Sequence, residues 1–93
     1  MNYTMTSSNA IRSLKQQLLD ASEVLTHLHD DIENTIRITA TYWNDRKYEE
    51  LVSELKPHQH SMMEISETYK RIADDEIQLL INIVEKYERR QDL

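Results

Sequence analysis

Trp43-Asn44-Asp45-Arg46-Lys47-Tyr48-Glu49-Glu50-Leu51 decides how this chain folds. Its first three residues interrupt an apolar pattern, and Asn44 or Asp45 carries a side-chain oxygen suited to accept backbone N–H bonds where a helix begins. The stretch therefore reads as a turn at 43–45 with a helix on either side. Upstream, Ile11, Leu14, Leu18, Ala21, Leu25, Leu28 and Ile32 alternate at spacings of three and four, which lays them along one stripe of a helix over 9–42. Beyond Ile32 the seven-residue register falls on Thr35 and Thr39, whereas Ile36, Ala40 and Trp43 carry the apolar stripe onward, a drift of the kind a stutter produces.

Downstream, Tyr48, Leu51, Leu55, Met62, Ile65, Tyr69, Ile72, Leu79 and Ile83 predict a second helix over 46–90, with His58 and Glu76 as polar intrusions on its stripe. Pro57 lacks an N–H and crowds the carbonyl of Ser53, so a kink is expected near 57. Arg89 and Arg90 close the helix at the negative end of its dipole, and Glu67 with Arg71 and Glu85 with Arg89 are spaced for pairing along it. Residues 1–8 are polar and without periodicity. They read as a flexible tail ending at a capping Ser7 or Ser8, which leaves 9–93 as a single helical-hairpin domain.

Composition supports few, long elements. The 93 residues contain no Gly, no Cys and one Pro, which disfavours tight β-hairpins, phosphate loops, disulfides and thiolate metal sites. A formal net charge of −6 has the wrong sign for nucleic acid or an anionic lipid surface. No apolar run is long enough to span a bilayer, and the first residues lack the basic start and apolar stretch of a signal peptide. The expectation is a cytoplasmic protein, or one exported without a cleaved signal peptide.

An isolated hairpin buries only one stripe of each helix, yet Ile77-Gln78-Leu79-Leu80-Ile81-Asn82-Ile83-Val84 is apolar on more than one face, and Leu19 and Val24 lie off the first stripe. The fold class expected is therefore all-α, an antiparallel two-helix hairpin that dimerises into a four-helix bundle. The packing residues would be Leu18, Leu25, Leu28, Ile32, Ile65, Tyr69, Ile72, Leu79, Leu80 and Ile83. The partner would be a second copy or a related hairpin.

A long helix, a Trp at the turn and a second amphipathic helix give the chain a layout that resembles the Trp-X-Gly (WXG) family of early-secreted-antigen-like proteins exported by type VII secretion. In residues the resemblance concentrates in positions 43–51. Asp45 stands where the family motif has Gly, as in the Trp-X-Asp variant of Gram-negative relatives. That subgroup implies a four-helix homodimer, no enzymatic activity, and a role as a small secreted protein or an adaptor to a larger secreted partner, with Trp43, Asn44 and Asp45 as a turn motif read by the secretion machinery. The family's Tyr-x-x-x-acidic export signal is not matched, since Tyr87 is followed at that distance by Gln91 and Tyr69 by Ala73. An intracellular coiled-coil adaptor that is not exported is the alternative.

Histidines are the remaining chemical feature. A hairpin folded between 43 and 44 sets His27 opposite His60 and His29 opposite His58, with Glu23, Asp31, Glu54 and Glu64 a helical turn away. His plus carboxylate from facing helices is the material of metal sites in bundles. Residues two apart on a helix point to nearly opposite faces, so ordinary solvated or edge-packed histidines are the stronger expectation, and no cofactor is expected. No Ser/His/Asp arrangement, phosphate loop or paired-carboxylate pocket is legible, so no enzyme is expected.

Overall fold

The computed structural model describes residues 7–91, and among them every regular element is helical. In chain order these are α1 (Ser7–Thr39), α2 (Arg46–Arg71), a π-helical segment (Ile72–Ile77) and α3 (Gln78–Gln91). The last three form one continuous arm that folds back along α1, giving a hairpin of 70 × 22 × 17 Å. Both arms are far longer than an isolated helix needs to be marginal, but their stability still rests on the face they share.

Several boundaries differ from the sequence expectation. Ser7 and Ser8 belong to α1 rather than to a tail, and residues 1–6 of that expected tail lie outside the described residues. The first helix ends at Thr39, not 42. There the backbone tightens, with Thr41 N–H donating to Ile38 O and Tyr42 N–H to Thr39 O, while the Thr41 hydroxyl also donates to Ile38 O at 2.6 Å. The connection therefore covers 40–45, and no described residue in it needs positive φ, which is how a glycine-free chain makes the turn.

Helix α2 passes through Pro57 without interruption, and a departure from α geometry lies farther on, at 72–77. The reason is phase. Val52, Gln59, Ser66 and Ala73 repeat every seven residues toward α1, but the next residues on that line, Ile77 and Ile81, come at four and four. An α-helix turns past a line after two steps of four. The wider π turn absorbs the extra residue, so Ala73 and Ile81, both at 0% exposure, and Ile77 all stay buried.

The line where the arms meet is made largely of small and polar side chains. On α1 it runs through Ser8, Lys15, Ser22, His29 and Ile36, again every seventh residue. At its centre the Ser22 hydroxyl donates to Ser66 O at 2.9 Å, the Ser66 hydroxyl donates to Ser22 O at 2.8 Å, and Thr26 Oγ1 lies 2.9 Å from Ser66 Oγ. Small residues let the two helices approach closely enough for these bonds, and each buried hydroxyl is satisfied. Toward the turn, Gln59 donates to Glu33 at 2.9 Å and the Tyr48 hydroxyl to Ile36 O at 2.6 Å.

The open end is held by side chains crossing from α1. Both the backbone N–H and the hydroxyl of Ser8 donate to Glu88, at 3.2 and 2.8 Å, so a carboxylate from the other arm occupies the positive end of α1. Arg12 pairs with Glu85, and Lys15 donates to Gln78 at 2.6 Å. Glu85 thus pairs across the hairpin rather than with Arg89 along its own helix. Arg71 lies 3.7 Å from Glu76, not paired with Glu67 as its spacing suggested.

Candidate interaction face and turn

The turn motif is a small closed unit. Asp45 is extended, at φ −111° and ψ −178°, and its Oδ1 accepts the Tyr48 N–H at 2.9 Å as the N-cap of α2. Its other oxygen accepts the Trp43 indole N–H at 2.8 Å. The Trp43 and Tyr48 rings sit 5.4 Å apart and tilted at 45°, while Tyr48 is buried and anchored to α1 through its hydroxyl. One carboxylate therefore starts the helix and orients the Trp. These bonds favour the charged form, so the Tyr48 N–H first and the Trp43 indole second hold Asp45 below its ordinary pKa. Asn44, the other candidate cap, stays exposed and takes no cap role.

Trp43 is only partly covered by this packing. It remains 48% exposed, and Tyr42 beside it 88% exposed, so the tip presents two aromatic rings to solvent on a rigidly capped support.

Along the hairpin the two sides differ sharply. Leu18, Leu25 and Ile32 of α1 and Leu55, Met62, Tyr69 and Ile72 of the second arm are half-buried beside the Ser22–Ser66 line, and Leu14, Leu28, Leu51 and Ile65 next to them are exposed. Their helical offsets from the buried Ser22, Gln59 and Ser66 put these residues on one flank, where Ile32 and Leu55 line a groove together with Asp31, Thr35 and Ile36. The opposite flank is polar, with a trough of about 470 Å³ lined by Gln16, Leu19, Ser22, Glu23, Thr26, His27 and Lys70. The stripe recognised in the sequence is real, but it lies beside the contact between the arms rather than in it.

The exposed stripe continues into α3. Leu80 stands one residue before buried Ile81, as Ile65 stands one before buried Ser66, so both fall on the apolar flank together with Tyr87. Ile83 borders that row and Leu79 lies farther round the back of the helix. All four are exposed, and next to them lies a groove lined by Ile83, Lys86, Tyr87 and Arg90. Of the ten packing residues expected, then, Leu18, Leu25, Ile32, Tyr69 and Ile72 are partly covered within the hairpin, while Leu28, Ile65, Leu79, Leu80 and Ile83 are open.

The histidines stand near one level, close to the Glu33–Gln59 bridge. They do not converge. His27, His58 and His60 are exposed, His29 is half-buried against Asp30 at 3.1 Å, and His60 lies 3.7 Å from Glu64. Among the described residues no group of three His, Asp or Glu side chains is placed to hold a metal ion.

No protein-family model, curated protein or solved structure matches the chain. Among the described residues, no helix is long and apolar enough to cross a membrane.

The residues that sequence reasoning missed are Ser22, Gln59, Ser66 and Glu88, and Ser8, read only as a cap, also binds the other arm. A signal for most was present, since Ser8 and Ser22 stand fourteen apart on α1, and Gln59, Ser66 and Ala73 follow one another at seven. Small and polar residues at a heptad spacing mark a close helix contact as well as Leu does, but hydrophobicity alone does not see them.

Proposed function

We propose that this chain is a non-enzymatic WXG-like helical hairpin that acts by pairing with a second hairpin, its own copy or a related one, as a type VII-like secreted protein or an adaptor to a larger secreted partner. The observation that carries the reading is the long apolar flank beside a hydroxyl-lined contact. Only Tyr48, Ala73, Ile77 and Ile81 among the described apolar residues are buried, too little for a self-sufficient core. The Trp43–Asp45 bond supports it further, because it gives the Trp-X-Asp motif a physical role at the tip. The open, narrow grooves offer no enclosed site with convergent catalytic groups, which favours binding over catalysis.

The test is export. Tagged protein should appear in culture fluid of the native host and vanish from it when the secretion ATPase is deleted. Retention inside the cell in both strains overturns secretion and favours the non-exported adaptor, the reading supported by Gln91 standing where the export signal has an acid.

A further inference from the structure

Charge is sorted across α3. Its two acids both turn toward α1, Glu85 to pair with Arg12 and Glu88 to accept from Ser8. Lys86, Arg89 and Arg90 stay exposed and form no salt bridge with a described residue. On a chain of net charge −6, this helix therefore offers solvent unpaired cations and no unpaired acid.

Apolar side chains share the side that Lys86 and Arg90 occupy. Ile81 is buried against α1, and at about 3.6 residues per turn Leu79, Ile83, Lys86 and Arg90, which stand two, two, five and nine residues from it, fall close to the opposite side of the helix. Leu79 and Ile83 are 60% and 54% exposed there, and Ile83, Lys86, Tyr87 and Arg90 line a groove of about 240 Å³. A partner for this surface has to match hydrocarbon framed by cations.

The patch is also short. From Leu79 to Arg90 it spans about 17 Å, and Asp74 and Asp75 stand exposed about one turn before it. An anionic bilayer or a nucleic acid extends past so small a patch and meets those acids on a chain that is acidic overall. A helix of about three turns covers the patch and stops.

We infer that the side of α3 turned away from α1 is a docking site for an acidic amphipathic helix of another protein. Its apolar side chains pack on Leu79 and Ile83 and enter the groove beside Tyr87, while its carboxylates meet Lys86 and Arg90. Docking of this kind reads apolar anchors three and four residues apart, and the charge match decides which helices are accepted. The site lies apart from the flank used in the pairing proposed above and does not depend on it. A three-turn contact falls at the small end of specific interfaces, so binding should be transient, with a dissociation constant of roughly 1–100 µM.

The test uses the full chain and two fluorescein-labelled helical peptides that share one leucine stripe and differ only in its borders, glutamate in one and lysine in the other. The glutamate-bordered peptide should bind at least tenfold tighter by fluorescence anisotropy, and Leu79, Ile83, Lys86 and Arg90 should carry the shifted NMR signals. Equal affinity for the two peptides, no binding of either at millimolar concentration, or shifts confined to the Leu14–Ile32 flank overturns the proposal. The double substitution Lys86→Glu with Arg90→Glu, both at exposed positions, should retain helicity by circular dichroism, lose at least tenfold in affinity for the glutamate-bordered peptide and gain affinity for the lysine-bordered one. Loss of affinity for both peptides alike overturns the charge match. Lys70→Glu, on the polar flank, should change neither affinity, and a loss as large as that of the double substitution would mean that net charge rather than this patch governs binding. Flotation of the chain with phosphatidylserine vesicles, abolished by the double substitution, would assign the patch to a lipid surface and overturn the protein partner.

Discussion

At the scale of single residues, Asp45 does two jobs that a Gly at the same place cannot, capping α2 and fixing the Trp43 indole. Its folded pKa is depressed, so its contribution is complete above about pH 4, the ordinary carboxylate range, and is lost as pH falls through the lower folded value. Thermal melts followed by circular dichroism should therefore show Asp45→Ala less stable than wild type at pH 7, with the difference shrinking below pH 4. Asp45→Asn should retain most of the stability, since Asn also caps. A pH-independent gap between Asp45→Ala and wild type would count against the charged cap. The hydroxyl cluster makes a second claim at this scale. Ser66→Ala removes the hydroxyl that donates to Ser22 O and touches Ser22 Oγ and Thr26 Oγ1, while those two keep their own bonds to carbonyls, so it should cost about 0.5–1.5 kcal/mol by urea denaturation at fixed protein concentration. Removing Ser22 and Ser66 together should cost less than the two single substitutions summed, because either one alone already breaks the direct contact between their hydroxyls.

At the scale of elements, the second arm carries two irregularities with opposite consequences. Pro57 removes one helical hydrogen bond to Ser53 without ending the helix, so Pro57→Ala should stabilise the protein by about 1–3 kcal/mol. The π-helical segment is different, because it keeps α3 in phase with α1. Deleting exposed Asp75 should turn the segment into regular α-helix while Ile81 and Glu88 keep their places against α1. Deleting exposed Glu67 instead should rotate Ala73, Ile77 and Ile81 off the contact. Circular dichroism melts of the two deletions should differ widely, the first near wild type and the second largely unfolded; equal melts would mean that the π turn carries no phase.

At the scale of the whole molecule, the fold is a hairpin whose arms meet along a polar contact and whose apolar flank stays exposed. Hydrogen-bonded hydroxyls contribute modestly in net free energy but are costly to misplace, so they suit register, whereas apolar area supplies the larger drive to associate. Stability should accordingly rise with protein concentration, and a melting temperature unchanged between 2 and 200 µM would contradict pairing with a second copy. Zinc at equimolar concentration should leave the melting temperature where it was, since the four histidines do not converge.

Two helices, a reversal read at 43–45 that the structure widens to 40–45, a cap at Asn44 or Asp45 and the existence of an apolar stripe were legible from local chemistry. The spacing of Leu and Ile, the absence of Gly and a capping Asp act within a few residues, and periodicity reports them directly. Only the tertiary structure decided which way each helix is rotated. It set Ser22 and Ser66 between the arms, put the Leu14–Ile32 stripe beside that contact rather than in it, exposed Trp43 and placed a π-helical segment at 72–77. Rotation is set by contacts between residues some forty apart in sequence, where close approach of small side chains competes with burial of large ones, and hydrophobicity along one helix cannot report the outcome of that competition.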